Sequence, residues 1–254
     1  METWEGTCMH AGAEGYVANG FSGLGILQGS AARAISMPGA YATEGRESVS
    51  TASSQKATRC EISLPYRENA LEPYISARAI RRHAGRHMQR YSDEVARLCA
   101  GTGLAGRSLE AVMTGAHLLG MQRLTECACH LHNHQMYWQS MRPGGGGQPC
   151  GALMKAIVTG FGSWENFVSV FRSRALNRLW TGWIWLVKDG ERVMLMQDTG
   201  ISSPLLQGKA VLLALDMWEC AYFMDYGEDR HGYVDAFLSH LVNWEHAGQL
   251  FLTR

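Results

Sequence analysis

The sequence predicts an α+β protein, in which an N-terminal antiparallel helical hairpin precedes a three-stranded antiparallel sheet flanked by helices. Apolar residues recur at steps of three and four over residues 76–141, a spacing typical of helices. Later, two short apolar runs flank Asp189-Gly190, which predicts a β-hairpin, and "AVLLALD" predicts a third, buried strand. We therefore divide the chain into a leader (1–60), a helical-hairpin domain (61–143) and an α/β C-terminal domain (144–254).

The first 60 residues differ in composition from the rest of the chain. They are rich in Gly, Ala and Ser, and no apolar period persists in them. The segment "GSAARAISMPGAYATEGRESVSTASSQKATR" is similar to an organelle transit segment, although five glutamates make the leader more acidic than usual. Two interpretations stay open. One is a targeting leader, mitochondrial rather than plastid, and the other is a disordered extension of a cytoplasmic protein.

Net charge and cysteine content argue against nucleic-acid binding, membrane insertion and a disulfide framework. The formal net charge is +0, so no overall field attracts nucleic acid or a membrane surface. No apolar run approaches the roughly 20 residues that span a bilayer, so we expect no membrane insertion. The seven cysteines are odd in number and lack the spacing of a disulfide framework, which favours a reducing compartment.

The predicted hairpin begins with a helix from Ser76, a good N-cap, to about Cys99, where "GTG" ends it. One face of this helix carries a stripe of six residues, Ile80, His83, His87, Tyr91, Val95 and Leu98. Ser108 caps a second helical stretch that reaches about Met141 and is interrupted near Gly115 or Gly120. A short turn between two such helices predicts antiparallel packing.

The C-terminal domain contains further helices around the predicted sheet. We expect helices over Leu153–Phe161 and over residues 164–179, with Ser163 capping the second one. We expect a final helix from Tyr233 to Leu250.

The segment "ECACHLHNHQMYW" concentrates two thiols and three imidazoles. On a helix, Cys127, His130 and His134 share one face and His132 points elsewhere. On a strand, Cys127 and Cys129 would face away from the three histidines. The flanking apolar residues keep helical spacing and favour the helix, so that His130 and His134 would face the first helix.

These residues suggest a metal site. His83 offers a further nitrogen on the first helix, while Asp216 ends the third strand and Cys220 follows four residues later. Two imidazoles, a carboxylate and a thiolate from three elements would suit Zn²⁺ at least as well as iron. The alternative is structural, since a helix histidine is more often a satisfied polar group and a buried cysteine is usually a small hydrophobe. By the same argument, Tyr91 would be ordinary core.

A family resemblance extends from Leu64 to about Leu252. The segments "LPYRENALEPYIS", "HAGRHMQRY", "NHQMYW", "PGGGGQPCGAL", "FGSWENF", "GWIWLV", "DMWECAYFMDY" and "LVNWE" follow one another in that order. Together they resemble the iron/manganese superoxide dismutases, and the glycine run and "NHQMYW" are closer to the iron type.

The resemblance implies a role for six residues. It places the metal ligands at His83, His134, Asp216 and Cys220, the last of which is a histidine in the family. Tyr91 matches a gateway residue next to the metal. His130 stands where the iron enzymes place a glutamine that holds solvent at the metal, so Tyr91 and His130 are the implied catalytic residues. The tryptophans that surround the metal site in the family are also present here, as Trp138, Trp183 and Trp185.

Other positions depart from the family. Trp180 replaces a small glycine, and Phe223 replaces a tyrosine associated with the subunit interface. Glu219 resembles the glutamate that holds the distal nitrogen of the partner subunit's ligand histidine. Because Cys220 has no such nitrogen, two copies of this chain cannot form that bridge.

Two functions follow from the resemblance. The first is superoxide disproportionation at a single Fe (or Mn) site, if the altered site is competent. The second is a catalytically degenerate subunit of a larger organellar assembly such as a mitochondrial ribosome, with a structural Zn or with no metal. The expected partners are accordingly superoxide as substrate, a second copy, a related chain in a heterodimer, or a larger complex.

Overall fold

The computed structural model describes residues 63–177 and 181–254. The predicted leader, residues 1–60, and Trp180 lie outside these described residues. Within them the predicted α+β architecture is confirmed, with a helical N-terminal part followed by a three-stranded antiparallel sheet and helices. In this described part, no helix is both long enough and apolar enough to cross a membrane.

The first predicted helix consists of two α-helices with a kink between them. Helix α1 spans Ala77–Arg82 and α2 spans Met88–Cys99, and a π-helical turn over His83–His87 joins them. Ser76 caps α1 as expected, since its hydroxyl accepts a hydrogen bond from the Ala79 amide at 3.1 Å. The expectation of one regular helix is wrong at Gly85, whose φ of −83° and ψ of −115° are not helical.

The second helical stretch also consists of two helices, α3 over Leu109–Leu118 and α4 over Gln122–Gln139. The interruption lies at Gly120, where φ is +67°, a conformation that favours glycine. Ser108 caps α3 by accepting a hydrogen bond from the Ala111 amide. Helices α2, α3 and α4 share one apolar core, which includes Met88, Val95, Val112, Met113, Cys127 and Leu131.

Two helices lead into the sheet, α5 over Gly151–Phe161 and α6 over Trp164–Leu176. Ser163 caps α6, because its hydroxyl accepts a hydrogen bond from the Asn166 amide at 3.0 Å. Helix α6 ends three residues earlier than expected.

The sheet has the order β2-β1-β3, with every pair antiparallel. Its strands are β1 (Trp183–Asp189), β2 (Arg192–Asp198) and β3 (Ala210–Asp216), and a short 3₁₀ helix over Pro204–Gln207 precedes β3. Asp189 pairs with Arg192, so the hairpin turn falls one residue later than expected. Strand β3 is buried almost throughout, and Asp216 at its end pairs with Trp183 at the start of β1.

The C-terminal region contains α7 (Glu219–Tyr226), α8 (Arg230–Ala236), a π-helical turn (Phe237–Leu241) and α9 (Trp244–Thr253). The expectation of one helix from residue 233 to 250 is therefore wrong. The helix stops because Val242 forms a β-bridge with Met141, which requires extended backbone.

Ser140 connects the end of helix α4 to strand β3 through hydrogen bonds. The Ser140 hydroxyl donates to the Met136 carbonyl at 2.7 Å and accepts from the Ala214 amide at 2.9 Å. All three groups are buried, so each polar atom needs this partner. The contact brings the end of α4 to the strand that carries Asp216.

Candidate metal centre

Three elements bring His83, His134 and Asp216 to one buried point. His83 lies at the start of the π-helical turn, His134 on α4 and Asp216 at the end of β3. The Nε2 atoms of the two histidines are 3.1 Å apart. The Asp216 Oδ2 atom is 3.3 Å from Nε2 of His83 and 3.6 Å from Nε2 of His134. All three side chains are 3% exposed or less.

Local hydrogen bonds orient two of these donors. The Nδ1 atom of His134 lies 2.8 Å from the His130 carbonyl, and because a carbonyl only accepts, Nδ1 carries the proton. The Nε2 lone pair of His134 therefore faces the site. On Asp216, Oδ1 accepts a hydrogen bond from the Trp218 amide at 2.8 Å, which leaves Oδ2 directed at the two imidazoles.

A pair of buried tyrosines hydrogen-bonds to the backbone of Asp216. The Tyr233 hydroxyl donates to the Asp216 backbone carbonyl at 2.9 Å. The Tyr137 hydroxyl lies 2.9 Å from that of Tyr233, so Tyr137 donates to it. Sequence reasoning missed this pair, although tyrosine at a core position is a signal, because a buried phenol needs a hydrogen-bond partner.

Tryptophans form the walls of the site, as the resemblance implies. The ring of Trp138 lies 5.1 Å from that of His83, and the ring of Trp183 lies 5.0 Å from that of His134. Trp185 stacks behind Trp183. Each tryptophan is 1% exposed, so these walls exclude water and strengthen the electrostatic interactions inside.

Burial determines the protonation states of the three donors. It lowers the pKa of His83 to about 4. Burial, together with nearby His83, lowers the pKa of His134 to about 3. Burial also raises the pKa of Asp216 to about 6, against the opposing effect of His134. At neutral pH the imidazoles are therefore uncharged and the carboxylate carries one buried negative charge.

These donors fit a metal ion. The Asp216 Oδ2 atom is buried and makes no hydrogen bond within the described part of the chain. Two ligands bound to a tetrahedral metal ion at about 2.0–2.1 Å are about 3.3–3.4 Å apart, and the observed separations of 3.1, 3.3 and 3.6 Å lie within about 0.3 Å of this distance. A cation at this point would pair the carboxylate oxygen and offset its charge. The residues present therefore fit the ion that the resemblance implies.

Cys220 lies next to this group, in the first turn of α7. Its Sγ atom is within 4.8 Å of a ligand atom of His83 and of Asp216. If Cys220 bound the same ion, its sulfur, at about 2.3 Å from the metal, would lie about 3.6 Å from the nitrogen ligands, which is up to about 1 Å closer than the 4.8 Å limit observed here. Cys220 is exposed, unlike the other three residues.

Tyr91 and His130 lie on the outer side of His134. The Tyr91 ring stacks on that of His130, with centroids 3.8 Å apart and an interplanar angle of 27°. The His87 ring contacts both, and its Nε2 atom is 3.1 Å from that of His130. His87 was predicted only as part of the apolar stripe, although its spacing from His83 and Tyr91 placed it on the face of the site. These three side chains are partly buried.

Two other members of the "ECACHLHNHQMYW" segment lie away from the metal centre. Cys127 packs in the core between α2, α3 and α4. His132 points elsewhere, as the helical interpretation predicts. Its Nδ1 atom lies 3.4 Å from the Ser203 hydroxyl and its Nε2 atom lies 3.8 Å from a Glu110 carboxylate oxygen.

Comparison with known proteins shows the family. Residues 61–142 match the α-hairpin domain of iron/manganese superoxide dismutases, and residues 149–250 match the C-terminal domain of the same family. The chain is 41% identical over 185 residues to the chloroplastic "Superoxide dismutase [Fe] 2" of Oryza sativa subsp. japonica, covering 71% of this chain and 72% of that protein.

Bacterial relatives are matched over most of their length. Identity is 36% over 183 residues to "Superoxide dismutase [Fe]" of Escherichia coli (strain K12), and 37% over 183 residues to that of Synechocystis sp.. Each alignment covers 72% of this chain and 92% of the relative. With both family domains matched and three donors converging on one buried point, the chain belongs to the iron/manganese superoxide dismutase family.

Proposed function

We propose that this protein disproportionates superoxide at a single iron (or manganese) ion held by His83, His134, Asp216 and Cys220, with weak metal binding and slow turnover. The observation that carries the proposal is the convergence of two imidazole Nε2 atoms and one carboxylate oxygen without a hydrogen bond, all within 3.1–3.6 Å of one another. The matching superoxide dismutase relatives support the choice of chemistry.

When bound, such an ion supplies the one-electron redox chemistry that converts two superoxide anions and two protons to dioxygen and hydrogen peroxide. The protein supplies the orientation of the donors. The His130 carbonyl fixes the tautomer of His134, and the Trp218 amide fixes the carboxylate of Asp216.

The reaction consumes protons, which the outer side of the site can provide. Tyr91 and His130 are partly buried, stacked on one another and adjacent to His134. We propose that the Tyr91 hydroxyl and the His130 ring nitrogen hold and transfer protons there. A histidine at this position keeps a hydrogen-bond donor where the iron-type resemblance implies a glutamine.

Cys220 is the reason for expecting slow turnover. A thiolate adds a second negative charge beside Asp216, which favours the oxidised form of a bound metal. The thiol is also exposed, whereas the other three ligands are 3% exposed or less. The Cys220 thiolate should therefore bind a metal ion more weakly than an imidazole whose other nitrogen is fixed by a hydrogen bond.

A second candidate function is a structural role in a larger assembly, and the surface of α7 favours it. Glu219, Cys220 and Phe223 are all exposed on this short helix, and Phe223 is 48% exposed. We propose that this surface binds another chain, either a second copy or a related subunit that keeps a histidine for Glu219 to hold. In that role the site would hold a structural Zn²⁺ or no metal, in an organelle, with the mitochondrion favoured.

Metal analysis and a dismutase assay on the full chain after iron reconstitution test the proposal. The informative variant is Cys220→His, which restores an imidazole. We expect measurable but low activity in the unmodified protein and a gain of at least about tenfold in Cys220→His, in line with the effects of altered ligand environments. Cys150→His is the matched control, because Cys150 is the other exposed cysteine among the described residues.

The outcomes separate the two candidate functions. High activity in the unmodified protein would show that the Cys220 ligand does not impair the site. Absence of bound metal in both the unmodified protein and Cys220→His would contradict a dismutase role. Co-purification with a large particle would then support the structural alternative.

A further inference from the structure

A second group of ring nitrogens lies beside the metal centre. The Nε2 atoms of His87 and His130 face each other 3.1 Å apart, and their ring planes are inclined at 67°. This separation is close to the roughly 3.3 Å between two nitrogens bound to one tetrahedral metal ion. Neither nitrogen belongs to the four-residue site proposed above.

His134 completes this group. One ligand atom from each of His87, His130 and His134 lies within 4.8 Å of the others. Because Nδ1 of His134 donates to the His130 carbonyl, its Nε2 atom is the one available to a metal. This atom lies 3.1 Å from Nε2 of His83 and 3.6 Å from Oδ2 of Asp216, so a metal ion in the outer group would compete for it with an ion in the inner group.

We propose that His87, His130 and His134 form an outer, all-imidazole site for a divalent late transition metal ion such as Zn²⁺, an alternative to the inner site. Three neutral imidazoles with solvent as the fourth ligand form a known type of zinc site. The inner site includes a carboxylate, which suits harder ions, whereas the outer site has only nitrogen donors.

Exposure and protonation are consistent with this assignment. His87 and His130 are partly exposed, so an ion can reach them from solvent, whereas His83, His134 and Asp216 are almost completely buried. Burial, helped by nearby His83, lowers the pKa of His87, which favours the uncharged form of the ring that a metal requires. The stacked Tyr91 ring holds His130 in place on its other side.

The outer site can be tested apart from the inner one in an Asp216→Asn/Cys220→Ser background, which removes both non-imidazole ligands of the inner site. The metal-free full chain is titrated with Zn²⁺ in competition with a chromophoric chelator. Long-range ¹H–¹⁵N spectra of the imidazoles identify the nitrogens that bind. The variant His130→Gln is added to the same background, with His117→Gln as control because His117 is an exposed histidine on α3.

We expect the background protein to bind one Zn²⁺, with shifted ring nitrogen signals from His87, His130 and His134. His130→Gln should weaken this binding at least about tenfold, and His117→Gln should leave it unchanged. Absence of Zn²⁺ binding in the folded background protein, or no effect of His130→Gln, would overturn the proposal. If the double variant does not fold, His83→Gln replaces it as the background, because this change removes an inner-site ligand that the outer site does not use.

Discussion

The Nε2 atoms of His83 and His134 face each other 3.1 Å apart, although the two residues are 51 positions apart in the sequence. Their rings are nearly perpendicular, at 85°. The Asp216 carboxylate, at the end of β3, lies within 3.6 Å of both nitrogens. A negative charge next to two uncharged imidazoles is costly in a buried site without a cation.

Asp216→Asn should therefore stabilise the metal-free protein at neutral pH. The folded-state pKa of Asp216, about 6, is above its ordinary value of 3.8, so folding is penalised once the carboxyl ionises. This cost in unfolding free energy grows as pH rises from about 4 to 6, and it reaches its full value above pH 6. We expect a gain in the free energy of unfolding of about 1–3 kcal/mol at pH 7, which disappears towards pH 4.

Urea unfolding of metal-free protein at several pH values measures this effect. Asp93→Asn is the control, since Asp93 is an exposed carboxylate on α2, and it should change stability by no more than about 0.5 kcal/mol. A loss of stability in Asp216→Asn at pH 7 would show that the carboxylate is paired in the metal-free protein. The same variant should lose inner-site iron binding.

Tyr233→Phe should weaken both the fold and the metal centre. It removes the hydroxyl that donates to the Asp216 carbonyl and accepts from Tyr137, and both groups are buried. Leaving them unpaired should cost about 2–4 kcal/mol of unfolding free energy. Thermal or denaturant unfolding measures the loss, and metal analysis should show reduced iron content.

Tyr222→Phe is the matched control for that experiment. Tyr222 stacks on the Tyr233 ring, but no hydrogen bond joins it to Asp216 among the described residues. Equal losses of iron in Tyr222→Phe and Tyr233→Phe would mean that the Tyr233 hydroxyl does not position Asp216.

Glu110→Gln should reduce the sensitivity of the fold to acid. The nearby His132 ring at 3.8 Å and the Arg254 guanidinium at 2.9 Å lower the pKa of Glu110 from 4.5 to about 2. Because the folded-state pKa is depressed, this stabilisation is present above pH 4.5 and is lost as pH falls towards 2. Glu110 is 41% exposed, so we expect an effect below about 1 kcal/mol.

The slope of unfolding free energy against pH between 5 and 3 measures the Glu110 contribution. Glu191→Gln in the exposed hairpin turn is the control. If the two variants give the same slope as the unmodified protein, the contacts of Glu110 with His132 and Arg254 do not stabilise the fold.

Local sequence signals predicted most of the fold. Ser76, Ser108 and Ser163 all cap helices as expected, because a serine before an apolar helical pattern satisfies amide groups that the helix leaves free. The two breaks that were missed, at Gly85 and Val242, depend on the packed protein. Val242 leaves the helix to pair with Met141, about 100 residues earlier, and no local pattern encodes such a contact.

The sequence pointed to three buried donors of the candidate site and to the tryptophans around them, but not to the other contacts. Family motifs point to His83, His134 and Asp216, and these side chains do converge. The supporting tyrosines and the pairing of His87 with His130 went unnoticed, since each residue alone fits an ordinary helix position. Their partners come from different elements, so only the assembled fold brings them together.

The most direct test of the account is the absorption spectrum of the iron-reconstituted, oxidised full chain. If Cys220 is a ligand, the unmodified protein should show a thiolate-to-iron(III) charge-transfer band in the visible region. The band should be absent in Cys220→Ser and unchanged in Cys150→Ser. A spectrum that is the same in the unmodified protein and in Cys220→Ser, with iron bound in both, would contradict the claim that this sulfur completes the metal site.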